Sequence, residues 1–250
     1  QRSIMAGEII VNENRITKAG TQVYEDSDVR YLGKGSLYVS RGGLKLSKAI
    51  KSFEIYFTGK IVLDIGSSTG GFTDCALKNG AAKVYAVDVG YGQLDWSLRS
   101  NTRVVVMERT NARYLSNEHF DEQIDIITID VSFISIKILL PVLQPLLKKN
   151  GQLVALIKPQ FEAGKEWVGK KGVVKDPEIH IKVIESIILA ARESGFSAVA
   201  LDYSPVKGPK GNIEFLLLLE IEGEGLVDIS YINKIVSEQK TISLDLQDYR

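Results

Sequence analysis

Along most of this chain, short wholly apolar runs take turns with longer segments whose apolar residues recur every three or four positions. The first kind suits strands buried on both faces, and the second suits helices with one packed face. On that pattern strands are expected at 61–64, 84–88, 104–108, 125–130, 152–157, 198–203 and 213–221. Helices are expected near 71–79, 92–98, 135–148 and 178–194. The last of these is well punctuated: Asp176-Pro177 offers a start, Val183, Ile184, Ile187, Ile188 and Ala191 form one stripe, and Gly195 offers a stop. Alternation of this kind predicts an α/β fold with a doubly wound, mostly parallel sheet. The final strand, EFLLLLEIE, is long and is expected as an antiparallel addition at or near one edge.

The ends of the chain break the alternation. Residues 1–32 read as a small separate unit, with a helix end at 2–6 stopped by Gly7 and a hairpin built from 8–11 and 15–17. Residues 33–43, GKGSLYVSRGG, read as a glycine- and serine-rich linker. Residues 44–53 set Leu44, Ala49, Ile50 and Phe53 against Lys45, Lys48 and Lys51, the pattern of a basic amphipathic helix. That helix opens a main domain expected to span 44–222. Residues 223–250 carry no motif and are expected to pack as a C-terminal appendage.

Composition narrows the class. At 250 residues the chain can hold one sizeable α/β core plus a small appendage. Its 44% hydrophobic and 25% charged residues are ordinary for a soluble globular protein. The single Cys75 excludes an internal disulfide and a cysteine-built zinc cluster, and reads as a small core residue rather than a nucleophile. There is no apolar run of 18 residues and no signal-peptide pattern, so a cytoplasmic protein without a membrane span is expected. Net charge is zero but unevenly spread. Residues 33–60 carry six basic side chains against Glu54, 158–175 carry five lysines against two glutamates, and 220–250 carry seven acids against three bases. Two basic stretches permit an anionic partner on one face, although charge runs are usually just solvated surface.

The chemistry-bearing stretch is 61–74, IVLDIGSSTGGFTD. A strand ending at Asp64 runs through Gly66, Ser67, Ser68, Gly70 and Gly71 into a helix beginning near Phe72, an arrangement that brings backbone N–H groups to a ligand. Asp88 ends the next strand 24 residues after Asp64, where a carboxylate can take the two hydroxyls of a ribose. The loop lacks the second glycine of a dinucleotide fingerprint, and no P-loop is present. A ligand with a ribose but no phosphate fits best, and S-adenosylmethionine answers that description; another nucleotide, or a glycine turn with a packing role only, remains open. On the first reading Asp64 and the loop from Gly66 to Gly70 hold the amino-acid end, Asp88 the ribose, and Asn111-Ala112 the adenine.

Charged residues also stand where the active edge of such a sheet belongs. Asp130 and Lys158 each follow an apolar run, Pro159 ends the second strand, Glu214 follows the turn at 208–212, and Lys45 lies on the basic helix. Strand-end charges are more often solvated termini than catalysts, but two of them on neighbouring strands beside a cofactor loop weaken that reading.

Two resemblances sharpen it. IMAGEIIVNENRITKAGTQV resembles the second half of an S4 domain, a small RNA-binding fold, which implies that the chain starts inside a truncated S4-like unit. DIGSSTGGFTD, AVDVGYGQLDW, ITIDVSFIS, LIKPQFEAGKE, KGVVKDPEIH and SPVKGPKGNIEFL, with VSRGGLKL, resemble the hemolysin-A-type (TlyA) family, S4-linked FtsJ-like RNA 2′-O-methyltransferases. The resemblance covers about residues 3–222. It implies a Rossmann-like methyltransferase fold, S-adenosylmethionine as methyl donor, no metal, and ribosomal RNA or a ribosomal subunit as partner. It also implies a catalytic tetrad of Lys45, Asp130, Lys158 and Glu214, with Asp130 close to the cofactor as well. In that chemistry Lys158 stands nearest the ribose hydroxyl, either taking its proton or steering its oxygen, while Asp130 orients Lys158 and Glu214 balances the lysines. Arg41, Lys48, Lys165, Lys170 and Lys171 are then expected to track phosphates. Tyr38, Tyr91 and Trp96 are candidates to stack on bases, with a core role favoured for each. The competing readings are a hemolysin-like membrane-active protein, a nucleotide-dependent oxidoreductase, and a non-catalytic RNA-binding protein with a nucleotide site.

Overall fold

Two units make up the chain, Gln1–Leu37 and Tyr38–Arg250. The computed structural model describes residues 1–5, 7, 9–12, 14–25, 27–31 and 37–238. Residues 33–36 of the expected linker, residues 239–250 of the expected appendage, and positions 6, 8 and 13 of the expected helix end and hairpin lie outside them.

In the first unit, helix α1 (Arg2–Met5) ends as expected at Gly7, whose φ of +69° is readily open to glycine. Strands β1 (Ile9–Val11) and β2 (Asn14–Ile16) form the expected hairpin, with Ile9 opposite Ile16 and Asn12 turning at φ +46°. A third strand, β3 (Val29–Tyr31), pairs antiparallel on the other side of β1 and gives the order β2-β1-β3. Three residues are too short a run for periodicity to announce, and this strand was not expected.

The second unit is built on a seven-stranded sheet in the order β6-β5-β4-β7-β8-β10-β9. Its strands are β4 (Ile61–Ile65), β5 (Lys83–Val87), β6 (Val104–Met107), β7 (Ile124–Ile129), β8 (Leu147–Ile157), β9 (Ser197–Tyr203) and β10 (Phe215–Glu220). Strands β4 to β8 run parallel. β10 is the expected antiparallel addition, and it inserts between β8 and the edge strand β9.

Because side chains alternate across a strand, the apolar runs feed two separate cores. Leu63, Ile65, Ile127, Ile129 and Leu153 face one side, where they pack with Ile184 and Ile187 of the helix Pro177–Glu193. Val62, Val84, Ile126, Val154, Leu156 and Leu216 face the other, against Leu46 and Ala49 of α2 (Gly42–Phe53) and Phe72 and Cys75 of α3 (Gly71–Lys78). Cys75 is wholly buried, and burial pushes its thiol up to about 12, which fits a core role.

Three local expectations change. α2 begins at Gly42, inside the stretch read as a linker, and Tyr38 is already buried against Gly43. The helix expected at 92–98 is the short α4 (Trp96–Arg99), started by Asp95, whose carboxylate accepts from Ser97 N–H. Tyr91 and Trp96 are accordingly exposed rather than core residues. The helix expected at 135–148 is broken into 3₁₀ turns at Ile136–Ile138 and Gln144–Leu146 around the single turn α5 (Leu140–Leu143). Pro141 and Pro145 remove two backbone donors there, and β8 then starts at Leu147. The remaining helices are α6 (Pro159–Glu162), α7 (Pro177–Glu193) and α8 (Ile229–Glu238). Among the described residues, no helix is long and apolar enough to cross a membrane.

Candidate active site

The carboxyl ends of β4, β5 and β7 open onto a cavity of about 300 Å³, within the range of roughly 300–1,000 Å³ usual for small-ligand sites. Parallel strands end on one edge, so the loops that follow them converge there. Gly66, Ser68, Asp88, Asn111, Ala112 and Asp130 of the expected cofactor set line this cavity, with an apolar wall from Ile65, Val87, Val131 and Leu139. Gly66 sits at φ +84°, and a Cβ there would lie 2.6 Å from the Asp130 carbonyl oxygen. Only glycine lets the β4 and β7 loops close this tightly. Asp88 is a preset acceptor: its Oδ2 takes the Ser68 N–H at 2.8 Å and its Oδ1 the Gly90 N–H at 2.7 Å, which leaves lone pairs on both oxygens.

The other residues of that set lie elsewhere. Asp64 points into the layer between the sheet and α3, where the Thr73 and Thr128 hydroxyls donate to it at 2.6 and 2.9 Å. Complete burial pushes its carboxyl up to about 6, against the help of those two hydroxyls. Alternation explains the direction, since Asp64 shares a face with Val62 rather than with Leu63 and Ile65. Ser67 is buried with its N–H on the Val87 carbonyl. Gly70 packs on Leu94 and Leu98, Gly71 on the start of α2, and Phe72 in the core. These five shape the loop from behind and do not line the cavity.

The four strand-end and helix charges meet as two pairs. Lys45 Nζ lies 2.5 Å from Glu214 Oε2, and Glu214 is only 1% exposed. Lys158 Nζ lies 2.6 Å from Asp130 Oδ1 and donates to Ser132 Oγ at 3.0 Å. The β8–β10 register pairs Phe215 with Ile157, so one further step sets Glu214 across from Lys158. Continued alternation turns Asp130, Lys158 and Glu214 to the face covered by α2, which is how Lys45 reaches Glu214. Asp130 Oδ1 is buried without an aligned hydrogen-bond donor, although the Lys158 ammonium stands beside it. A cationic or hydrogen-bonding ligand in the cavity would satisfy it.

Two residues of the site went unnoticed in the sequence. Ser132 gives the Lys158 ammonium a second fixed partner beside Asp130. Phe133 lines the cavity mouth at φ +64° and is 92% exposed, its ring 4.8 Å from that of Phe161. A bulky residue held in the left-handed region and in solvent is a strained, costly arrangement that points to use. Its only sequence signal is an aromatic inside ITIDVSFIS, which nothing in the periodicity distinguishes from core.

Of the expected phosphate-binding side chains, Arg41, Lys165, Lys170 and Lys171 are exposed. Arg41 caps the start of α2, where a cation opposes the helix dipole. Lys48 is engaged internally, 2.8 Å from Asp202 and over the Tyr203 ring, and it ties α2 to β9. Among the described residues no group of three His, Cys, Asp or Glu side chains is gathered in metal-holding geometry.

Known proteins fit this arrangement. The family model for FtsJ-like methyltransferases matches residues 38–221. YqxC of Bacillus subtilis is 53% identical over 226 residues, covering 90% of this chain and 80% of that protein. The 16S/23S rRNA (cytidine-2′-O)-methyltransferase TlyA of Mycobacterium tuberculosis is 40% identical over 242 residues, covering 94% and 90%. A solved chain from Streptococcus thermophilus, 42% identical, superposes with a TM-score of 0.83 and covers 100% of this chain and 91% of that one.

Proposed function

The chain belongs to the FtsJ-like methyltransferase family, whose methyl donor is S-adenosylmethionine, and from that premise we propose that it methylates a ribose 2′-hydroxyl in ribosomal RNA. The observation that carries the proposal is the pair of lysine–carboxylate contacts, Lys45–Glu214 and Lys158–Asp130, gathered at the strand ends where Asp130 lines the cavity. The cavity suits the donor: an apolar cleft for a flat base, Asp88 for ribose hydroxyls, and Asp130 facing the reacting end.

S-adenosylmethionine, when bound, supplies a methyl group on a sulfonium that is already strongly electrophilic. The protein's own work is therefore alignment, together with the management of one proton. Lys158 is ion-paired to Asp130 and donates to Ser132 Oγ, which holds its ammonium in place and leaves a further donor for a substrate. We assign that donor to the ribose 2′-oxygen, where it sets the lone pair and stabilises charge on the oxygen while the hydroxyl proton passes to water at the open mouth of the cleft. Asp130 positions Lys158, and Lys45 with Glu214 forms a buried, neutral backing that keeps the site dry. Phe133 offers a flat apolar surface at the mouth for the base of the target nucleotide. Arg41, Lys165, Lys170 and Lys171 bind flanking phosphates, and the S4-like first unit adds shape recognition. A ribosomal RNA substrate sets this work in the cytoplasm.

The test is transfer of labelled methyl to ribosomal RNA, mapped by resistance of the modified linkage to alkaline cleavage. Lys158→Ala should lower the rate by roughly 10²–10⁴-fold while S-adenosylmethionine still binds. Methyl groups found on a base, or an undiminished rate in that variant, would sink the assignment.

A further inference from the structure

Asn212 is a buried polar residue, 2% exposed, that the catalytic scheme does not use. It lies two residues before Glu214, and its side chain reaches 38 to 40 positions back along the chain. Its Oδ1 accepts the Val174 N–H at 3.0 Å, and its Nδ2 donates to the Gly172 carbonyl at 2.8 Å. Its own carbonyl accepts the Gly208 N–H at 2.9 Å. One residue thus joins two glycine-punctuated turns, 169–175 and 207–212, which carry Lys170, Lys171, Lys175, Lys207 and Lys210, all exposed.

The turns lie against each other and against the tetrad. A Cβ on Gly172 would fall 3.3 Å from Lys210 Nζ, and a Cβ on Gly208 would fall 2.6 Å from Glu214 Oε1. From below, His180 supports the same assembly. Its Nε2 bonds the Val174 carbonyl at 3.1 Å, and its ring meets the edge of Phe215, the residue after Glu214, at 5.5 Å. Five like charges on adjoining turns repel one another. The group that holds the turns together must offer one acceptor and one donor to match the N–H and C=O presented to it, which an ionised carboxylate cannot do. An asparagine side chain meets both needs.

We infer that Asn212 is a positioning residue: it clasps the lysine-bearing turn 169–175 to the strand end that carries Glu214, so that the phosphate-binding cations and the tetrad are set as one unit. The inference rests on the ribosomal RNA reading above. Its consequence is that the clasp governs RNA engagement and leaves the cofactor cavity untouched, because Asn212 does not line that cavity.

Asn212→Asp keeps the shape, removes the donor and adds a charge. In the full chain it should strip hydrogen-exchange protection from 169–175 and raise the KM for ribosomal RNA transcripts by about tenfold. It should also flatten the salt dependence of RNA affinity by about one to two contacts, while the Kd for S-adenosylmethionine stays within about twofold. A second variant, Lys170→Ala/Lys171→Ala, leaves the clasp in place. Adding Asn212→Asp to it should cost less RNA affinity than the same change costs the parent chain, because two of the three cations on the clasped turn are already gone. Lost protection with a wild-type KM, retained protection, or full additivity with the lysine pair each overturns the clasp. A wild-type enzyme that methylates no ribosomal RNA refutes instead the reading on which the clasp depends.

Discussion

Replacing Lys45 by methionine would leave the Glu214 carboxylate buried without its cation, and the cost can be worked from the geometry. The side chains of the pair are 10% and 1% exposed, so neither has water to fall back on. Glu214 cannot swing outward either, since the turn at Gly208 closes over its Oε1. Breaking such a pair costs about 3–5 kcal/mol, most of it the uncompensated buried charge. In a domain of this size that corresponds to a fall in Tm of roughly 6–20 °C. Lys45→Met/Glu214→Leu removes both charges and should recover most of the loss, because the desolvation term vanishes with the charges. Urea unfolding followed by far-UV circular dichroism, with the slope m held constant across variants, measures all three. Losses below about 1 kcal/mol for Lys45→Met, or losses that simply add in the double variant, would refute the reasoning.

Two more outcomes follow from single residues. Asp88→Ala should weaken S-adenosylmethionine binding by roughly 1–3 kcal/mol in a calorimetric titration, since it removes a charged acceptor and frees the Ser68 and Gly90 N–H groups; unchanged affinity would move the ribose elsewhere. Asp64 has a folded-state pKa of about 6 against an ordinary 3.8, so its burden on stability is fully present above pH 6 and is relieved as pH falls toward 4. Asp64→Asn should therefore stabilise the protein at pH 8 by an amount on the order of 3 kcal/mol, with the gain shrinking toward pH 4; equal stabilities at pH 8 in urea titrations would contradict it.

Much of the fold was readable because local pattern and final burial agree. The runs at Val62–Leu63, Ile126–Ile129 and Leu153–Ile157 are apolar on both parities, and the sheet is covered on both faces. The Gly66 loop and Asp88 were legible for the same reason: a sharp turn at a strand end restricts backbone choice, and the residues show it. Where expectation failed, a local signal was outweighed. Pro141 and Pro145 broke a periodic segment into single turns, and Trp96 looked like core but stands in solvent because α4 turns Leu98 to the core instead.

Residues close together in the chain are enough to settle the class of sheet, the glycine turn after β4 and the charged strand ends. Which charges meet depends on how distant segments pack. Lys45 and Glu214 are 169 residues apart, and their contact depends on β10 entering antiparallel beside β8 and on α2 covering that face. Alternation along β4 turned Asp64 into the layer under α3, and the fold brought Asn212 to a loop 40 residues earlier. Side-chain alternation is a local property with a period of two, but which face becomes core and which becomes cleft is fixed by what packs on it, and that is decided by distant parts of the chain.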